Sequence, residues 1–232
     1  MKIKQNLPNL LTLGNLLSGC LGIVACLRFG HQDACIYILI AAVLDFFDGS
    51  LARALKVESP IGKDLDSLAD VVTFGVLPGF MAMDMLENTQ STVTLPFDAM
   101  IYLAMLIPLM SAVRLAKFNN DNRQTTSFIG LPTPANGIFF VGLSCALSGE
   151  YFNFIHNFYA ILSITMVMAF LLVSELPMFS LKLKGGSWKD YSIQIIFLTI
   201  SLISLLIFKW AGLSIVILIF ILLSIIQNLV TK

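Results

Sequence analysis

The chain has 232 residues, 57% of them hydrophobic and 12% charged, with a mean hydropathy of +0.88. Soluble domains are about a quarter charged, so this chain lacks the polar side chains needed to cover a water-exposed surface. Basic and acidic residues balance at 14 each, so no basic face points to nucleic acid.

Eight apolar runs approach the roughly 20 residues that a spanning helix needs. They cover residues 10–29, 34–55, 65–86, 97–116, 131–147, 155–174, 191–208 and 211–230. The expected fold is therefore an all-α, polytopic membrane helix bundle. In the first run, Leu17-Ser18-Gly19-Cys20 has the look of a lipoprotein cleavage box. The apolar pattern continues past Cys20 to Phe29, and Pro8, Asn9 and Asn15 interrupt what should be a clean signal core, so the run reads as a retained membrane helix. Gly75, Pro78 and Gly79 should bend the third span, which is tolerable where neighbouring helices cover the backbone. The fifth is short and led by prolines. The last two contain no carboxylate and read as packing or oligomer surface. The four cysteines (Cys20, Cys26, Cys35 and Cys145) lie in apolar runs, without metal-ligand spacing or a disulfide framework.

With the N-terminus in the cytoplasm and eight alternating spans, only Arg28 and Lys209 of the 14 Lys and Arg residues fall on the outer side. That asymmetry follows the positive-inside rule and predicts a multi-pass protein of the cell (inner) membrane.

The chemistry concentrates in spans two and three, which read Asp45-Phe46-Phe47-Asp48-Gly49-Ser50-Leu51-Ala52-Arg53, then Gly62, Asp66 and Asp70. Asp45 and Asp48 are three apart, and Ala52 extends their stripe; Gly62, Asp66 and Asp70 are four apart, a stripe on the next helix. The short link around residues 56–61, with Pro60, makes the two helices antiparallel neighbours that aim four carboxylates at one point. A single Asp at membrane depth costs about 2.5–3.5 kcal/mol, and four would repel one another. Divalent cations between them resolve both problems, and an all-carboxylate set suits Mg²⁺ or Mn²⁺ rather than zinc. Gly49, Ala52 and Gly62 leave room for a bulky ligand, and Arg53 is a cation able to pair with phosphate. A cation transporter would explain the acids but not these small residues at their spacings.

The string Asp-x2-Asp-Gly-x2-Ala-Arg-x8-Gly-x3-Asp-x3-Asp matches in full the signature of the CDP-alcohol phosphotransferase family, which the chain resembles over roughly residues 6–184. The resemblance implies a six-helix membrane core (residues 1–184) followed by two additional C-terminal helices (185–232). It implies two divalent cations (Mg²⁺ or Mn²⁺), a CDP-linked lipid donor such as CDP-diacylglycerol, release of CMP, and a homodimer. By position, Asp45, Asp48 and Asp66 are expected metal ligands. Asp70 matches the proposed general base, also in reach of metal. Gly49, Ala52, Arg53 and Gly62 match positions lining the CDP site.

The acceptor rests on further stretches. Residues 6–15, Arg114-Leu115-Ala116-Lys117-Phe118-Asn119, residues 128–135 and, more weakly, residues 177–182 resemble the serine-accepting branch of the family, which makes L-serine the expected acceptor. Asn136 and Gly137 depart from the small apolar residues expected after Ala135. Arg114 and Lys117 could bind the serine carboxylate and Asn119 supply a hydrogen bond; ordinary positive-inside anchoring explains the two cations equally well. Asn9, Thr12 and Asn15 form a polar stripe on span one, expected to meet the cytidine or its phosphates, with interhelical hydrogen bonds as the alternative. Glycerol 3-phosphate, an inositol phosphate or choline would be the acceptor under the same chemistry; a phosphate-bearing one calls for a denser Arg/Lys cluster than Arg114 and Lys117 provide, and Arg123 keeps that option open. His31, in an outer loop, and His156, near the outer end of span six, lie away from the acids. Asp64 reads as a solvated loop charge.

Overall fold

In the computed structural model, which describes residues 2–57, 61–89, 98–121, 128–179 and 192–230, the chain is a bundle of helices. Pro60, Arg123, Ser180–Tyr191 and Lys232 lie outside the described residues, and with them the expectations placed there.

α1 (Lys2–Phe29) and α2 (His31–Leu55) form an antiparallel hairpin around Gly30, whose φ of 100° suits glycine. The 28 residues of α1 make a rod of about 42 Å, longer than a hydrocarbon core of about 30 Å, so its polar first turns extend beyond the apolar layer. α2 ends where Lys56 takes the left-handed conformation and caps the Ala52 and Arg53 carbonyls, one turn beyond Ala52.

The third expected span is α3 (Gly62–Asp70), a π-helical turn (Val71–Val76) and α4 (Leu77–Thr89) in one continuous run. The expected bend is thus a π-turn that begins immediately after Asp70. A Cβ on Gly75 would lie 2.9 Å from the Ser111 Cβ, so the turn presses closely against the helix that carries Ser111. Across its most apolar stretch this run is 61% buried, against 28–39% for the other long helices, which makes it the central column of the bundle. Phe74, Leu77, Met81, Met85 and Leu86 fill the core around it. Gly19 lets α1 approach the π-turn at Thr73, whose hydroxyl donates to the Asn15 carbonyl at 3.1 Å.

A 3₁₀ segment (Asp98–Met105) leads into α5 (Leu106–Asn120). Strand β1 (Phe128–Ile129) pairs antiparallel with β2 (Pro177–Met178), which lies beyond α6 (Thr133–Leu147) and α7 (Phe158–Val173). Next to β1, Gly130 (φ 76°) donates to the Leu176 carbonyl at 2.8 Å, and Leu131 donates to Leu171 at 2.9 Å. A Cβ at Gly130 would collide with the Leu172 and Ser174 carbonyls. The loop is therefore clamped across the end of α7, which sets the start of α6.

α8 (Ser192–Phe208) and α9 (Gly212–Val230) form a hairpin through a 3₁₀ turn at Lys209–Ala211. It packs on α6, where the Ser214 hydroxyl donates to the Phe139 carbonyl at 2.6 Å. Five helical segments are long and apolar enough to cross a membrane, the α8–α9 hairpin counting as one, and α6 and α7 are shorter apolar helices. The all-α, multi-pass membrane fold expected from the sequence is the one observed.

Candidate active site

The four aspartates meet. α2 presents Asp45 and Asp48, and α3 presents Asp66 and Asp70, on facing surfaces near the end of the bundle where α2 stops and α3 starts. Carboxylate oxygens of Asp45, Asp48 and Asp66 all lie within 4.8 Å of one another. Asp45 also contacts Asp70, which is buried one turn deeper than Asp66. Among the described residues no Lys or Arg forms an ion pair with any of the four. Three converging oxygen donors without a neutralising side chain fit a hard divalent cation.

α1 supplies the hydrogen bonds that orient these acids. Thr12 donates to Asp48 Oδ2 at 2.6 Å, and Asn15 Nδ2 donates to Asp70 Oδ1 at 3.4 Å. Asn15 is fully buried and its Oδ1 has no partner among the described residues.

A cavity of about 460 Å³ opens beside the acids. Asn9, Thr12, Asp48, Gly49, Ala52, Gly62 and Asp66 line it, together with Pro8, Val57 and Lys63. Nothing lies within 4 Å of a Cβ built on Gly49, so this glycine is not explained by packing within the chain. Two expected residues sit elsewhere. Asn15 is withdrawn against Asp70, and Arg53 is exposed beside Ser50 on a neighbouring cleft of about 500 Å³ shared with Ala52, Lys56 and Val57. Lys63, which adjoins Gly62 and lines this cavity, was missed as a site residue in the sequence.

A second cavity, of about 350 Å³, takes in Arg114, Lys117, Asp121, Ser174 and Glu175. Arg114 is buried. Its Nη1 donates to Thr133 Oγ1 at 3.3 Å, its guanidinium stands 5.1 Å from the Phe118 ring, and its charge attracts Asp70. Its Nε has no partner among the described residues. Asn119 does not line this cavity: its side chain donates to Ser67 Oγ at 2.8 Å and its carbonyl accepts from Lys63 Nζ at 2.8 Å, tying α5 to α3. Ser111 and Asn136 are fully buried with side-chain atoms left unpartnered among the described residues. The one sequence sign of either was the departure from the expected pattern at Asn136.

The histidines lie far away. His31 is the first residue of α2 rather than a loop residue, and Asp45 stands about 21 Å further along that helix. His31 Nδ1 pairs with Ser144 Oγ at 2.7 Å, and its backbone N–H donates to Asp84 at 2.8 Å. His156 is exposed just before α7. Asp64 is exposed, in the first turn of α3 rather than a loop.

The sequence profile of the CDP-alcohol phosphatidyltransferase family matches residues 5–174, which hold every residue named above as a candidate ligand or base. The chain belongs to that family. Among curated relatives, the CDP-diacylglycerol–serine O-phosphatidyltransferase of Bacillus subtilis is 38% identical over 138 residues, 60% of this chain and 75% of that one. Its counterpart in Helicobacter pylori (strain 26695) is 28% identical over 197 residues, 83% of this chain and 80% of that protein. The Saccharomyces cerevisiae enzyme of the same name is 34% identical over 165 residues, 64% of this chain and 57% of that one. As a CDP-alcohol phosphatidyltransferase, the chain is a membrane enzyme of phospholipid synthesis.

Proposed function

We propose that this enzyme transfers the phosphatidyl group of CDP-diacylglycerol to the hydroxyl of L-serine, giving phosphatidylserine and CMP. The observation that carries the reading is the convergence of Asp45, Asp48, Asp66 and Asp70 beside a cavity lined by Gly49, Ala52 and Gly62. The names of the relatives support serine as acceptor.

In this reading the acyl chains stay in the bilayer and the CDP head enters the first cavity, where the three small residues leave it space. Asp45, Asp48 and Asp66 hold Mg²⁺ or Mn²⁺, with Asp70 close enough to assist. When bound, two such ions supply the positive charge that offsets the diphosphate. Thr12 keeps Asp48 aimed at that position, and Asn15 fixes Asp70. Arg114 and Lys117 bind the serine carboxylate and so bring its hydroxyl towards Asp70. Asp70 accepts the hydroxyl proton as the serine oxygen bonds to the lipid-linked phosphorus. The bond from that phosphorus to the CMP oxygen breaks, and CMP leaves with the electron pair. Positioning and electrostatics supply most of the acceleration expected for such a transfer.

Residues 1–184 form the catalytic unit in this account, and residues 185–232 add a bracing hairpin. Two chains associate as a homodimer, and the acids face the cytoplasm across the inner membrane, as the distribution of Lys and Arg supports. The deciding experiment follows radiolabelled L-serine into lipid with the full-length protein in CDP-diacylglycerol micelles. Label should enter lipid only when both the donor and Mg²⁺ or Mn²⁺ are present, with equimolar CMP. Label that enters without CDP-diacylglycerol, or CMP release that only another alcohol supports, would overturn the reading.

A further inference from the structure

The second cavity is not simply basic. Arg114 and Lys117 line one part of it, and Glu175 and Asp121 bring carboxylates to the same space. Such a mixed lining places opposite demands on a ligand. Arg114 is a buried cation that donates to Thr133, a neutral partner, and its Nε is unpartnered among the described residues. A buried guanidinium in that state attracts an anion. Glu175 is arranged differently. Its backbone is fixed on both sides: Ser174 Oγ donates to the Leu171 carbonyl at 2.9 Å, and Leu176 accepts from Gly130. Its side chain is 65% exposed and stands 3.9 Å from Lys117 Nζ, itself 53% exposed. An ion pair this long and this wet contributes little by itself.

We propose that Glu175 binds the ammonium group of the acceptor while Arg114 and Lys117 bind its carboxylate, so that the cavity selects a zwitterionic alcohol. The assignment rests on the serine reading above and adds to it the residue that sets specificity. Inserting a zwitterion between Lys117 and Glu175 preserves the charge balance of the cavity. A phosphate-bearing alcohol would satisfy the two cations but face repulsion from Glu175 and Asp121.

The test compares serine with 3-hydroxypropanoate, which keeps the hydroxyl and carboxylate but lacks the amino group. Full-length wild type, Glu175→Gln and Glu175→Asp are assayed for CMP release with CDP-diacylglycerol and Mg²⁺ or Mn²⁺. Glu175→Gln should raise the KM for serine about tenfold, with kcat and the KM for CDP-diacylglycerol within about threefold of wild type, and Glu175→Asp should recover most of the loss. The KM for 3-hydroxypropanoate should stay within about twofold, so the preference for serine narrows. Equal KM changes for both acceptors, or an unchanged KM for serine, would overturn the assignment of Glu175 and leave the serine reading standing. A wild-type enzyme that releases CMP with another alcohol but not with serine would overturn that reading and this assignment together.

Discussion

Two polar clusters of the bundle, one around His31 and one around Asp70, differ in how far their members answer one another. Around His31, the polar groups do so: the His31 backbone N–H meets Asp84, its ring meets Ser144, and Asn88 donates to Asp84 at 3.3 Å. Around Asp70, several buried polar groups lack full partners among the described residues. Asn15 Oδ1, Arg114 Nε, Ser111 Oγ and both side-chain heteroatoms of Asn136 are the cases. A buried polar atom without a partner costs about 1–3 kcal/mol, so such a cluster is retained only where something other than stability selects it. The first cluster ties helices together, and the second leaves polar atoms open beside the four aspartates, where the proposed chemistry puts charged ligands.

Substitutions should separate the two clusters by what they damage. Asp70→Asn should act most strongly, lowering kcat by 10²-fold or more, on the order expected for loss of a general base. The thermal transition in detergent should not fall, and turnover near the wild-type rate would remove Asp70 from the chemistry. Gly49→Leu should come next. Its side chain would enter open space beside the first cavity, so the KM for CDP-diacylglycerol should rise about tenfold, the scale of one poorly accommodated apolar group, while stability holds. A fall in stability without a change in KM would mean that this space is not the donor site. Thr12→Val removes the hydroxyl that orients Asp48, and the metal concentration giving half-maximal rate should rise roughly tenfold. Titration of activity with Mn²⁺ measures this directly. His31→Ala should affect turnover least. It should lower the thermal transition by several degrees through loss of a buried hydrogen bond, with kcat within about twofold of wild type. A large loss of kcat there would erase the contrast between the clusters.

Much of this was legible because the informative interactions are local. Asp45 and Asp48 share a helix face, as do Asp66 and Asp70, and a short connection forces the faces together; spacing alone carries that inference. The apolar runs likewise gave each helix. They placed the start of α1 too late, at Leu10 rather than Lys2, because hydropathy marks where a helix enters lipid and says nothing of turns that continue into water. What the sequence did not carry depends on contacts between distant residues. Gly75 of the π-turn meets Ser111, and the pairing of Phe128 with Met178 joins segments about 50 residues apart. The place of Glu175 beside Lys117, in the cavity that Arg114 also lines, is likewise a contact between distant residues, so no local pattern marked it. Asn119 looked like a pocket residue because it follows Arg114 and Lys117, but its side chain turns to Ser67 and away from the second cavity.

The hairpin of α8 and α9 lies beyond the stretch that matches the family, yet it reaches the segment carrying Glu175. Asn228 Nδ2 donates to the Pro177 carbonyl at 2.7 Å, and the Phe179 backbone N–H donates to Ser224 Oγ at 3.3 Å. The tail thus works as a splint on the strap that follows α7. Chimaeras that exchange this tail between relatives must carry residues 177–179 with it, because a graft that ignores those two seams would loosen the rim of the second cavity while leaving the aspartates untouched.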